Sequence, residues 1–131
     1  MSIIKLFNRH FTEFIDDIMR VFPKDKHIRT ARLFIVNINR INPKLVIKYW
    51  KVYITDLYGP NIREGDISFF IEKNYDEDVG TSDQYNGTKL LGIIELIRVK
   101  VRSMGKDNQI KTIKYLQNLT KLSSLYFKTF P

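Results

Sequence analysis

The sequence predicts an all-α protein, a compact irregular bundle of five to six helices in a single domain covering residues 1–131. Three observations carry that expectation. Apolar residues recur at three- and four-residue steps through every long segment, which is the period of a helix face and not of a strand. Strong stop and start signals such as Asn42-Pro43, Gly59-Pro60 and Gly105 punctuate those stripes. A chain of 131 residues with 44% hydrophobic and 13% aromatic content can bury roughly two-thirds of its unfolded surface around one core.

The first helix is expected over residues 2–22. Ile4, Phe7, Phe11, Ile15, Ile18 and Phe22 form its stripe, widened by Leu6, Phe14 and Met19, and Pro23 ends it. Asp25 is placed to cap a second helix from about Lys26 to Arg40, whose stripe is Ile28, Ala31, Phe34 or Ile35, Ile38 and Ile41. The run LFIVNI within it is rich enough in β-branched residues to pass for a strand, but the length of the periodic pattern favours helix. Asn42-Pro43 then turns directly into the segment around which the chain is organised, NPKLVIKYWKVYITDLY. Asn42 is expected to cap that helix and Pro43 to occupy its first position. Apolar residues cover more than half its girth, so it should be central, with Gly59-Pro60-Asn61 stopping it.

Asp66 is expected to cap a short helix from Ile67 to Lys73. Residues 74–88, NYDEDVGTSDQYNGT, are acidic and rich in turn formers, and read as a flexible loop. A dense apolar helix follows over 89–104, with a strand in IRVKV as the lesser alternative. Gly105 breaks it, and Asp107 or Ser103 can cap a last helix over about 107–127. The stripe expected there is Ile110, Ile113, Leu116 with Tyr115, Leu119, Leu122 and Tyr126.

Composition narrows the chemistry. No cysteine is present, which removes disulfides, thiol catalysis and cysteine-based zinc sites and fits a reducing, intracellular setting. No apolar run reaches the ~18 residues that read as a membrane span, so no membrane role is expected. The start MSIIKLFNRHF reads as helix and not as a signal peptide, because it lacks a small-residue cleavage site. P-loop, dinucleotide-binding and nucleophile-elbow patterns are absent, so neither a cofactor nor a small-molecule substrate is expected. His10 has only Glu13 at ligand-like spacing, and His27 has no such neighbour, so no metal is expected at either. The serines Ser123 and Ser124 lie inside a helix with no base nearby in sequence. The chain reads as non-enzymatic.

Charge is distributed in blocks within the net +8. Residues 1–54 carry eleven Lys/Arg against four Asp/Glu, residues 55–83 two against eight, and residues 84–131 nine against two. Such blocks indicate electrostatic complementarity with a partner or within the fold. Arg29, Arg32, Arg40, Lys44, Lys48 and Lys51 come from consecutive helices and are the candidate contacts for nucleic acid or an acidic partner. Lys106, Lys111, Lys114 and Lys121 line a second basic face. Asp76, Glu77, Asp78 and Asp83 are the candidate assembly contacts. Their spacing is not that of a calcium loop. Trp50 and Tyr53, with the loop 74–88, offer a further contact surface if they are not core.

Read together, FIDDIMRVFPKDKHIRTA, NPKLVIKYWKVYITDLY, GDISFFIEKNYDEDV and the tail YLQNLTKLSSLY resemble a small protein family of nucleocytoplasmic large DNA viruses, the giant viruses. The shared motifs are packing and capping motifs and bring no catalytic residues with them. What the resemblance implies is a viral protein made in the host-cell cytoplasm, at the viral factory, and carried in the virion. Two functional expectations follow. The first is a minor structural or virion-associated component acting through protein–protein assembly or self-association. The alternative is a sequence-nonspecific nucleic-acid-binding module using the basic helix faces.

Overall fold

Most of the helix boundaries have a local cause in the sequence. A computed structural model describes residues 2–72 and 85–131. Ser2 opens α1 (Ile3–Val21) by accepting the Lys5 N–H on its hydroxyl oxygen at 3.1 Å, and Pro23 follows the Phe22 cap. Asp25 opens α2 (Lys26–Ile41) as expected, accepting the backbone N–H groups of His27 and Ile28 at 2.9 and 3.1 Å. Asp66 does the same for α5 (Ser68–Glu72), accepting the Ser68 N–H at 3.0 Å, after a turn in which Gly65 takes φ +84°. Among the described residues there is no strand, and both segments that carried a strand alternative are helical.

The central helix differs from expectation at both ends. Asn42 closes α2, its N–H donating to Ile38 O, and α3 (Leu45–Trp50) starts after Lys44 without a side-chain cap. Pro43 sits in the intervening turn, where its carbonyl accepts from Asn8 Nδ2 at 2.9 Å. Beyond Trp50 the backbone widens into a π turn, Lys51–Thr55, and continues without a break as α4 (Asp56–Arg63). Gly59-Pro60 therefore does not stop the helix. A proline within a helix leaves one carbonyl without its donor, and a π turn is one of the few local adjustments of the hydrogen-bond ladder found in helices. Here the π turn immediately precedes the segment that carries Pro60.

After the undescribed residues, α6 (Tyr85–Ser103) begins earlier than expected, so residues 85–88 of the anticipated loop belong to its first turn. Gly105, extended at φ −66° and ψ 163°, precedes α7 (Lys106–Thr129), whose start has no side-chain cap. Asp107 instead sits in the first turn, where its charge suits the helix dipole.

Trp50 lies in the middle of the core, 1% exposed. The Phe11 and Phe7 rings meet it edge-on at 5.9 and 6.3 Å, and the Phe70 ring lies tilted at 6.4 Å. It is thus core and unavailable as a contact surface, so the surface considered for it with Tyr53 and residues 74–88 loses this member. Ile15 and Ile18 of α1, Ile28 and Ile35 of α2, Ile47 and Ile54 of the central rod, Ile94 and Ile97 of α6, and Leu116 and Leu119 of α7 surround this aromatic centre. The central rod touches α1, α6 and α7, in keeping with its two-sided apolar pattern.

α1 runs between α2 and α7. Two successive aspartates on its flanks secure it. Asp16 accepts from Arg32 of α2, and Asp17 accepts from the Tyr115 hydroxyl of α7. In α7 the buried stripe is rotated from the expected one. Leu116, Leu119 and Tyr126 are buried as anticipated, but Thr112, Thr120 and Ser123 join them while Ile110 is exposed.

Candidate nucleic-acid interface

Carboxylates decide which cations remain for a partner. Of the six basic residues expected to converge, Arg32 is spent on Asp16 and Lys51 on Asp56. The second pair follows from the π turn, in which residues five apart face one another and the Asp56 N–H donates to Lys51 O. Arg29 and Arg40 are exposed and among the described residues make only neutral contacts, to Pro23 O at 3.1 Å and to Asn37 Oδ1 at 2.9 Å. Lys44 and Lys48, one turn apart at the start of α3, are exposed and lack a carboxylate partner among the described residues. The expected cluster therefore divides. Arg40, Lys44 and Lys48 lie around the α2–α3 turn, Arg29 lies eleven residues back along α2, and Arg32 and Lys51 are held in ion pairs. The acidic candidates Asp76, Glu77, Asp78 and Asp83 lie outside the described residues.

Other carboxylates are likewise occupied within the fold. Asp25 pairs with Lys100, whose ammonium also lies 5.1 Å over the Phe22 ring. The hydrogen bond from Lys100, followed by that from the Ile28 N–H, holds the Asp25 carboxyl below its usual 3.8. Asp17 pairs with Arg20, and Glu95 with Arg98. Of these only Asp17–Arg20 is largely exposed and so contributes little stability, but all three pairings remove negative charge from the surface field.

The second basic face becomes the better-formed site. Lys106, Lys111, Lys114 and Lys121 are all exposed on α7, with no carboxylate partner among the described residues. Lys114, Lys121 and Lys128 recur every seven residues, so they form a nearly straight ridge with steps of about 10.5 Å along the helix. Gln117 and Asn118 fill the interval between the first two. On one side of this ridge, a groove of about 240 Å³ against α1 is lined by His10, Asp17, Tyr115, Lys111 and Lys114. The His10 and Tyr115 rings lie 4.9 Å apart, His10 Nδ1 is 3.4 Å from Glu13, and His10 Nε2 is buried without a partner. Burial, and next the Glu13 charge, push the Tyr115 phenol above its usual 10.0, with Arg20 opposing. On the other side, a groove of about 420 Å³ opens against the C-terminal end of α4, with Arg63, Lys121 and Ser124 on its walls.

Sequence reasoning did not single out Arg63, nor the pair Arg98 and Arg102. The latter residues both donate to the carbonyl of Ile71 near the end of α5, and Arg98 is only 5% exposed. Their i,i+4 spacing on one helix face was the available signal. Ser123, noted for want of a base, is fully buried and hydrogen-bonded to Thr55 Oγ1 at 2.7 Å and Thr120 O at 3.0 Å. Among the described residues no group of three or more His, Asp or Glu is arranged to hold a metal ion, and no helix is long and apolar enough to cross a membrane. Comparison with known protein families, with characterised proteins and with solved structures finds no match to this chain.

Proposed function

We propose that this protein is a non-enzymatic, sequence-nonspecific nucleic-acid-binding module that engages the sugar–phosphate backbone through the lysine ridge of α7, assisted by Arg40, Lys44 and Lys48 at the α2–α3 turn. The observation that carries this reading is the internal use of Asp16, Asp17, Asp25, Asp56 and Glu95, which leaves the cations of the ridge and the turn without counter-charges. The described residues hold twenty-one Lys/Arg against ten Asp/Glu, so the field over these faces is positive. Asn118, exposed between the lysines, suits hydrogen bonding to phosphate and sugar, and it supplies no aromatic anchor of the kind that dominates protein hot spots. The test is fluorescence anisotropy with mixed-sequence DNA and RNA across a salt series. Binding that weakens steeply as salt rises, with little preference among sequences, is expected; no binding at low salt would overturn the reading.

A second reading, assembly as a minor structural or virion-associated component, has its own support in the outer face of α2. Leu33 and Ile41 are 62% and 78% exposed there, eight residues apart on one side of the helix. The acidic residues Asp76, Glu77, Asp78 and Asp83 would complement a basic face of a second copy. Light scattering separates the two readings, since assembly requires a discrete oligomer without nucleic acid. The giant-virus source, the viral factory and the virion rest on the sequence resemblance and belong with this reading.

A further inference from the structure

We infer that the groove between the C-terminal end of α4 and α7 is a phosphoryl-binding site. Its two cations come from different helices, Arg63 from α4 and Lys121 from α7, and both are exposed without a carboxylate partner among the described residues. The Ser124 hydroxyl and the Asn118 amide line the same space and add neutral donors. Among the described residues no acidic side chain lines it, in contrast to the groove on the α1 side, where Asp17 would oppose an anion. Glu64, next to Arg63 in sequence, is exposed and is not among the lining residues.

A helix C-terminus ordinarily repels anions through its free carbonyls. At α4 those carbonyls are covered. Gln117 Nε2 donates to Ile62 O at 3.1 Å and to Arg63 O at 3.3 Å, and the Gly65 N–H takes Ile62 O as well. The floor is also fixed, because Thr120 Oγ1 accepts from Trp50 Nε1 at 3.3 Å in the core. Arginine and lysine converging on a preformed space of about 420 Å³ is a geometry for a tetrahedral dianion or a phosphodiester, with the guanidinium able to donate to two oxygens at once. The shared chemistry is the phosphoryl group. Its source is either the nucleic-acid backbone, in which case this inference rests on the binding function proposed above, or a free phosphomonoester such as a nucleotide.

Amide chemical shifts of the full chain, titrated separately with pyrophosphate and with short mixed-sequence single-stranded DNA, test both sources. Both ligands should move the amides of Arg63, Asn118, Lys121 and Ser124 first. Arg63→Gln combined with Lys121→Gln should weaken DNA binding by about 10-fold or more and flatten its logarithmic salt slope by about 1.4. Lys24→Gln combined with Lys26→Gln removes the same charge outside both the groove and the ridge and should cost less than about one-third of that factor. Equal losses in the two double variants, or pyrophosphate shifts scattered over the basic surface, would overturn the inference while leaving nucleic-acid binding intact. Pyrophosphate shifts confined to the groove in a protein that does not bind DNA would support the groove with a phosphomonoester ligand and end the nucleic-acid reading.

Discussion

Ser123 and its neighbours show how single side chains set the interior of this fold. Trp50 Nε1, Thr120, Ser123 and Thr55 form a buried polar chain across the interface of α7 with the central rod, and each contact in it supplies a partner that water cannot reach. Ser123→Ala should destabilise the protein by about 1–2 kcal/mol, because the Thr55 hydroxyl loses its side-chain partner. Adding Thr55→Val should cost less than the sum of the two single changes, as read from urea unfolding. Asp25 is a second residue-scale case. Its folded pKa lies below the unfolded value, so its stabilising effect is present above about pH 4 and disappears as pH falls through the folded value. Asparagine caps helices as well as aspartate does, so Asp25→Asn retains the cap and removes only the charge. That variant should lose under about 1 kcal/mol at neutral pH and show a flatter decline in stability below pH 4 in acid titration.

At the scale of elements, α3 and α6 approach closely enough that one glycine controls the contact. A Cβ added at Gly87 would fall on the Tyr49 hydroxyl and within 2.9 Å of its Cζ. Gly87→Ala should therefore force the Tyr49 ring aside and cost about 1–3 kcal/mol, the range of overpacked sites, despite alanine's better helix propensity. Shortening the neighbour with Tyr49→Leu in the same chain should restore part of that loss in thermal unfolding. Helix existence, order and the caps at Asp25 and Asp66 were legible in the sequence, because those side chains and the apolar stripes act within four residues of themselves. The continuation through Gly59-Pro60 was not. Local propensity opposes it, and packing of Ile54, within the π turn, and of Ile62, beyond Pro60, into the core outweighs that propensity. The rotated face of α7 was hidden for a similar reason. Thr112, Thr120 and Ser123 read as polar, yet they are buried because partners on distant segments or their own helix backbone accept or donate to them.

For the whole molecule, the decisive quantity is charge after internal pairing. If the protein engages four phosphates of a duplex, its affinity should fall on the order of 10²-fold between 50 and 200 mM salt, and a plot of log affinity against log salt gives the number directly. A slope near zero would show that the basic faces are ordinary solvated surface. The block pattern of charge was visible in the sequence, but its consequence was not. Arg32 and Lys51 were expected among the partner contacts and instead hold α1 to α2 and the π turn to α4. Arg63 lay unremarked in a presumed loop, and the fold sets it opposite Lys121, fifty-eight residues away in the chain.

By itself, then, the sequence determined that this chain is helical, where most helices start, that Phe7, Phe11, Phe14, Ile15 and Ile18 form the buried face of α1 and that positive charge dominates outside residues 55–83. Those properties are set by interactions within one or two helical turns or by composition, and they are readable from spacing alone. The tertiary structure decided that Trp50 is core, that the central rod passes through its proline, which cations are left unpaired and that Arg63 meets Lys121 across a groove. Each of these depends on a partner far away in the chain, and distance in sequence carries no information about who that partner will be.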